Sequence, residues 1–153
     1  MHMALAISSM TLLGSCAKDL CKDVVCENGG TCDEGNCKCA LGHEGTMCEN
    51  EMRTKFIGIY TFNESCGTDA DVHQVNVKAS AASVERVMIE KMHGTFNVEA
   101  TVNTSTTLDI KSQVFGSDTI QGSGSISGKT LTLTYQIKQS LTTINCTGSG
   151  PQL

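Results

Sequence analysis

The sequence predicts a mainly β protein in two parts: a small disulfide-rich module, then an antiparallel meander of about eight strands closed into a small barrel, with a β-sandwich as the alternative. Three observations carry this. Seven of the nine cysteines fall within the first 48 of 153 residues, which marks a stapled N-terminal unit. From Thr101 to Gly150 nineteen of fifty residues are Ser or Thr, interleaved with Val, Ile and Leu, the alternation of half-buried strands. Finally, Cys66 and Cys146 sit near the first and last predicted strands, which become neighbours only if the sheet closes. The domain reading is residues 1–15 as an export signal, 17–50 as the stapled module and 55–153 as the β domain.

Residues Met3 to Leu13 form a mainly apolar run, the length of a signal-peptide core and too short to span a bilayer as a helix. The run leads into Leu13-Gly14-Ser15-Cys16. These residues resemble the bacterial lipobox, which implies lipidation of Cys16 with diacylglycerol and palmitate. Ala17-Lys18-Asp19 partly resembles the export tag of Bacteroidetes surface lipoproteins. The expected location is therefore the outer membrane or cell surface, with the membrane reached through the lipid. The run lacks an N-terminal Lys or Arg, which a start upstream of Met1 would account for.

Cys21, Cys26, Cys32, Cys37, Cys39 and Cys48 are separated by 4, 5, 4, 1 and 8 residues. Asn28-Gly29-Gly30-Thr31 lies between the second and third, and Gly42-His43-Glu44-Gly45 between the last two. Spacing and turns resemble the EGF-like domain over about 28 residues, with His43 where that family carries an aromatic. The resemblance implies bridges Cys21–Cys32, Cys26–Cys37 and Cys39–Cys48; the spacing alone allows fifteen connectivities. Such a segment, without an aromatic residue, is too small to offset its conformational entropy by apolar burial, so disulfides take the place of a core. Ala17-Lys18-Asp19-Leu20 does not match the calcium-binding run of some EGF modules, and no CxxC knuckle occurs. No metal site and no cofactor are expected, and His43 is read as a turn residue.

Asn50 to Thr54 is a short polar connection. The strands expected beyond it are Phe56 to Glu64, Val72 to Ala79, Glu85 to Lys91, Phe96 to Val102, Leu108 to Phe115, a hairpin from Thr119 to Lys138 turning at Gly128-Lys129, and Thr142 to Gly148. Phe56, Gly58, Tyr60 and Phe62 share one face of the first. In the hairpin Ile120, Gly122, Gly124 and Ile126 should share an inner face with Leu131, Leu133, Tyr135 and Ile137. Gly122 and Gly124 signal either a close backbone approach or a weak strand interior. A Cys66–Cys146 bridge would join the first and last strands, leaving one acylated and eight paired cysteines. Gly58-Ile59-Tyr60 and the up-and-down pattern resemble calycin or lipocalin-like domains, with Tyr60 in place of the usual Trp; that resemblance implies a ligand cavity unless the inward aromatics fill it.

No catalytic constellation appears. His73 and His93 lack a matched nucleophile, and Asp69 and Asp71 read as solvated residues of the loop after Cys66. The net charge of −5, with Lys and Arg scattered, disfavours nucleic acid. The expectation is a non-catalytic, lipid-anchored surface protein with a protein or glycan partner. The second reading is a carrier or sensor for a small apolar ligand, and the third a secreted eukaryotic adhesion fragment.

Overall fold

A computed structural model describes residues 18–153. The export segment 1–15 and the lipidation site Cys16 lie outside the described residues. The described residues are all-β apart from one short 3-10 turn.

The N-terminal region holds two short hairpins. Strands β1 (Thr31–Asp33) and β2 (Asn36–Lys38) pair antiparallel, with Cys32 opposite Cys37. Their two-residue turn places Glu34 and Gly35 at φ 49° and 87°, the left-handed pair whose twist matches that of the flanking strands. Strands β3 (His43–Glu44) and β4 (Asn50–Glu51) form the second hairpin. Three disulfides join Cys21 to Cys32, Cys26 to Cys37 and Cys39 to Cys48. Among residues 18–51 Gly42 and Cys48 alone are buried, so crosslinks and turns, not packing, hold the region.

A 3-10 turn, Met52–Lys55, leads into the barrel. Arg53 is its fastening: its Nε donates to Glu51 Oε2 at 2.8 Å, and its Nη1 to the Ser80 and Ser83 carbonyl oxygens at 2.9 Å each. Met52 N donates to the Gly42 carbonyl at 2.9 Å. These bonds set the stapled region against the loop that precedes the third barrel strand. They also turn the polar connection expected between the two parts into ordered structure.

Eight strands then run up and down: β5 (Gly58–Cys66), β6 (Asp69–Ala79), β7 (Arg86–Met92), β8 (Phe96–Thr104), β9 (Thr107–Phe115), β10 (Asp118–Ser127), β11 (Thr130–Gln139) and β12 (Thr142–Pro151). Each pairs antiparallel with its neighbour, and β12 returns to β5 through Cys146↔Cys66, Thr147↔Ser65, Gly148↔Glu64 and Ser149↔Asn63. The sheet is thus a closed barrel, not a sandwich, and closure leaves it no open edge. Alternation decides the faces. Tyr60, Phe62, Val75, Val77, Ile89, Leu131 and Leu133 are completely buried, while the residues between them face outward.

Several boundaries differ from the sequence reading. The first strand begins at Gly58, because Phe56 caps the 3-10 turn while still filling the core at 0 % exposure. The same strand extends to Cys66 instead of ending at Glu64. The second begins at Asp69, so Asp69 and Asp71 are strand residues paired with Cys66 and Glu64, not loop residues. Polar composition misled here, since the mouth of a barrel continues its ladder after apolar alternation has stopped. Gly122 resolves to close approach: a Cβ there would collide with the Thr134 carbonyl oxygen and Tyr135 Cβ on β11.

The ladder between β8 and β9 is the shortest of the barrel. Strands β8 and β9 pair only at Thr101↔Asp109, Val102↔Leu108 and Thr104↔Thr107. Beyond these pairs the Gln113 side chain replaces the missing strand contact. Its Oε1 accepts from Glu99 N at 3.0 Å and its Nε2 donates to the Glu99 carbonyl at 2.7 Å. A primary amide carries the same donor and acceptor as a peptide group, so it can stand in for one.

Candidate functional site

The barrel has two mouths. The one near the 3-10 turn faces the stapled region, whereas the far mouth is ringed by the turns after β5, β7, β9 and β11. A polar cluster sits just inside the far mouth. Glu64 has the inward parity of Phe62 and Cys66 on β5, and it is the one charged side chain buried among the described residues, at 5 % exposure. Both its oxygens have partners. Tyr135 on β11 donates its hydroxyl to Oε1 in a short hydrogen bond, and His93, in the turn after β7, places Nδ1 2.7 Å from Oε2.

The sheet assembles this group through register. Tyr135 pairs with Cys146, and Cys146 with Cys66, so three adjacent strands set a phenol and a disulfide in one row. The Cys66–Cys146 bridge spans a Cα separation of 4.1 Å. Cys66 Sγ lies 3.4 Å from His93 Nδ1 and 3.8 Å from the Tyr135 hydroxyl. His93 reaches inward from a left-handed backbone, φ 48°, and its ring stacks on Phe96, which packs in turn on Phe115. Burial pushes the Tyr135 phenol far above its ordinary value, and the hydrogen bond it donates to the Glu64 carboxylate, together with that carboxylate's charge, adds to the rise.

His73 also points inward, packed against Phe62 with which it pairs. Both its ring nitrogens are buried without a hydrogen-bond partner; Asp71 Oδ2, 3.5 Å from Nδ1 on an exposed side chain, is too distant to serve as one. His43 lies in β3 opposite Glu51, well removed in the chain from the far mouth. The structure therefore brings together Cys66, Cys146 and His93 with Glu64 and Tyr135. Sequence reasoning took Tyr135 only for a core residue and did not single out Glu64. One signal was available: a carboxylate at an inward position of an alternating apolar strand must find partners or remain neutral.

The cluster joins a carboxylate, a phenol, an imidazole and a disulfide in direct contact. It offers no thiolate nucleophile, since both sulfurs are bonded to each other.

The outer face is different in kind. Over β9 to β12 runs a shallow groove of about 450 Å³, lined by Asp109, Lys111, Gln121, Gln136, Asn145 and Thr147 among others. A second depression of about 540 Å³ shares Ser112, Gln121 and Gln136 with it and adds Thr119, Lys138 and Thr143. Hydroxyls and primary amides supply most of the hydrogen-bonding side chains of both, the first groove also exposing apolar surface and the Tyr135 segment as the sole aromatic contribution.

No protein-family model matches the chain, and no curated protein matches it significantly. Among solved structures, a candidate outer membrane protein from Bacteroides fragilis is similar at 16% sequence identity with a TM-score of 0.42, covering 66% of this chain and 52% of that one. This chain thus spans about half the length of that protein.

Proposed function

We propose that this is an exported, non-catalytic surface protein, anchored by a lipid on Cys16, in which an EGF-like module raises a solid β-barrel whose outer face meets a polar partner, protein or glycan. The observation that carries the reading is the filled interior. Tyr60, Phe62, Ile89, Leu131, Leu133 and Tyr135, each no more than 1 % exposed, belong to one apolar cluster inside the barrel. A carrier of the lipocalin type needs that volume for its ligand. A protein whose interior is spent on packing has its outside to offer, and there the groove over β9 to β12 presents hydroxyls and amides that match the hydrogen-bonding groups of a glycan or a peptide backbone.

Six cysteines with EGF-like spacing, bonded first to third, second to fourth and fifth to sixth, support the module assignment, and the lipobox resemblance supports the anchor. Two measurements test the proposal. Metabolic palmitate labelling of the full chain in a bacterial host should be present and be lost in Cys16→Ser; unchanged labelling, or none in either protein, defeats the anchor. Native mass spectrometry of the folded protein should show the covalent mass of the chain with its lipid and no further molecule held non-covalently. A stoichiometric co-purifying apolar molecule would instead favour the carrier.

A further inference from the structure

We infer that the Cys66–Cys146 bridge is one of two states of a staple, and that when it is reduced the same seam binds a thiophilic divalent cation, zinc by donor set, through Cys66, Cys146, His93 and Glu64. The ligand atoms of Cys66, Cys146 and His93 already lie within 4.8 Å of one another. Glu64 Oε2 stands 2.7 Å from His93 Nδ1. A tetrahedral zinc with bonds of about 2.0 to 2.3 Å requires its donors roughly 3.3 to 3.8 Å apart. Cys66, Cys146 and His93 thus stand near the needed spacing, and the Glu64 carboxylate, already beside the imidazole, would turn toward the sulfurs to complete the set.

Two thiolates, one imidazole and one carboxylate make four N, O and S donors, the number a closed zinc site takes. Burial suits the purpose: Cys66, Cys146 and Glu64 are 6 %, 1 % and 5 % exposed, while the His93 side chain is 40 % exposed and opens the route from solvent. Tyr135 would act as a positioning residue, since its hydroxyl holds the other oxygen of Glu64 and so orients the carboxylate. The chemistry balances without a hidden reactant. A dithiol reductant gives two electrons and two protons to the Cys66–Cys146 bond and leaves as its own disulfide. The cation then displaces both thiol protons. In the oxidised state the sulfurs are poor ligands, because the thiolate is the metal-binding form.

The site lies on the closing seam of the barrel, where β5 and β12 share four residue pairs. A bound cation would replace the covalent link at the same place.

The test uses the full chain reduced with a phosphine, which is oxidised by one oxygen atom from water for each bridge opened. Zinc is added, and the unfolding temperature is read by circular dichroism in parallel with cobalt(II) absorption. Wild type is compared with Cys66→Ser/Cys146→Ser, so that metal taken up by the other cysteines is common to both. Reduced wild type should bind one equivalent more than the double variant, show the intense absorption of tetrahedral cobalt with sulfur ligands in the difference spectrum, and unfold at a higher temperature when zinc is present. Tyr135→Phe should weaken binding by about 10- to 100-fold, and His93→Asn, which tolerates the left-handed backbone at that turn but removes a donor, should weaken it further. Equal stoichiometry in wild type and double variant would overturn the inference. So would undiminished affinity in His93→Asn, or a reduced barrel that zinc neither stabilises nor refolds.

Discussion

Between residues 18 and 51 two residues are buried, whereas every barrel strand contributes at least one buried side chain. Both regions meet the same entropic cost of ordering, about 1 to 2 kcal/mol per residue for the backbone alone. The first meets it mostly in the unfolded state, where three crosslinks remove freedom before folding begins. The second meets it in the folded state, by burying Val, Ile, Leu, Phe and Tyr along one axis. Cys66–Cys146 belongs to both strategies, since it is a crosslink set within a packed core. The difference teaches that a disulfide's role depends on what surrounds it, and that the two regions should fail differently.

The largest effect is expected at the barrel seam. Cys66→Ala/Cys146→Ala releases a closed stretch with a sequence separation of 80, and chain entropy then lowers stability by about 4 to 5 kcal/mol. Opening Cys39–Cys48 by the same double substitution releases a separation of 9, worth roughly 2.5 kcal/mol on the same relation, and that loss should stay local. Denaturant unfolding followed by circular dichroism would show the barrel midpoint falling sharply in the first variant and holding in the second. If opening Cys39–Cys48 lowered the barrel midpoint as much, the regions would be one cooperative unit joined through Arg53 and would not fail separately.

A smaller effect sharpens the comparison within the barrel. Gln113→Leu keeps the side chain's bulk but leaves the Glu99 amide and carbonyl without their partners, at a cost of about 1 to 3 kcal/mol. Hydrogen exchange should quicken at Glu99 and its neighbours while the β10–β11 amides keep their protection. Uniform acceleration across all strands would mean that the gap between β8 and β9 is no weak point.

How much of this was readable from the chain alone follows from the reach of each signal. Alternation with period two is local, so it revealed the inward row Leu131, Leu133, Tyr135 and Ile137, as well as the Gly128-Lys129 turn. Cys66 and Cys146 carried the long-range information that the sheet closes, because a candidate crosslink ties distant positions together. The Glu64, His93 and Tyr135 cluster had no comparable sign. Its members lie on three elements separated by up to 71 residues, and their meeting depends on a barrel register that hydrophobic pattern leaves free. Gln113 was hidden for a similar reason: a glutamine that mimics a peptide group looks, in sequence, like any outward polar residue. Asp69 and Asp71 show the opposite error, in which polarity suggested a loop where the backbone ladder runs on.

The mildest perturbation, with no effect at neutral pH, is alkalinity. The chain has two tyrosines, and both are buried in the barrel: Tyr60 donates to the Phe56 carbonyl at 2.8 Å and Tyr135 donates to Glu64. Burial raises the pKa of each, and at Tyr135 the accepting carboxylate raises it further. An unfolded tyrosine ionises near pH 10. Below that value both states hold the proton, and stability does not change with pH through these groups. Above it the unfolded chain loses protons that the folded barrel keeps, so stability falls as pH rises through the window between the unfolded and folded values. Tyrosinate absorbance should therefore appear late and together with loss of the β signal, as one cooperative step for both residues. The stapled region contains no tyrosine and should contribute nothing to that step. Tyrosinate forming near pH 10 while the β signal persists would show that the phenols reach solvent without unfolding, and that the barrel is looser than its packing implies.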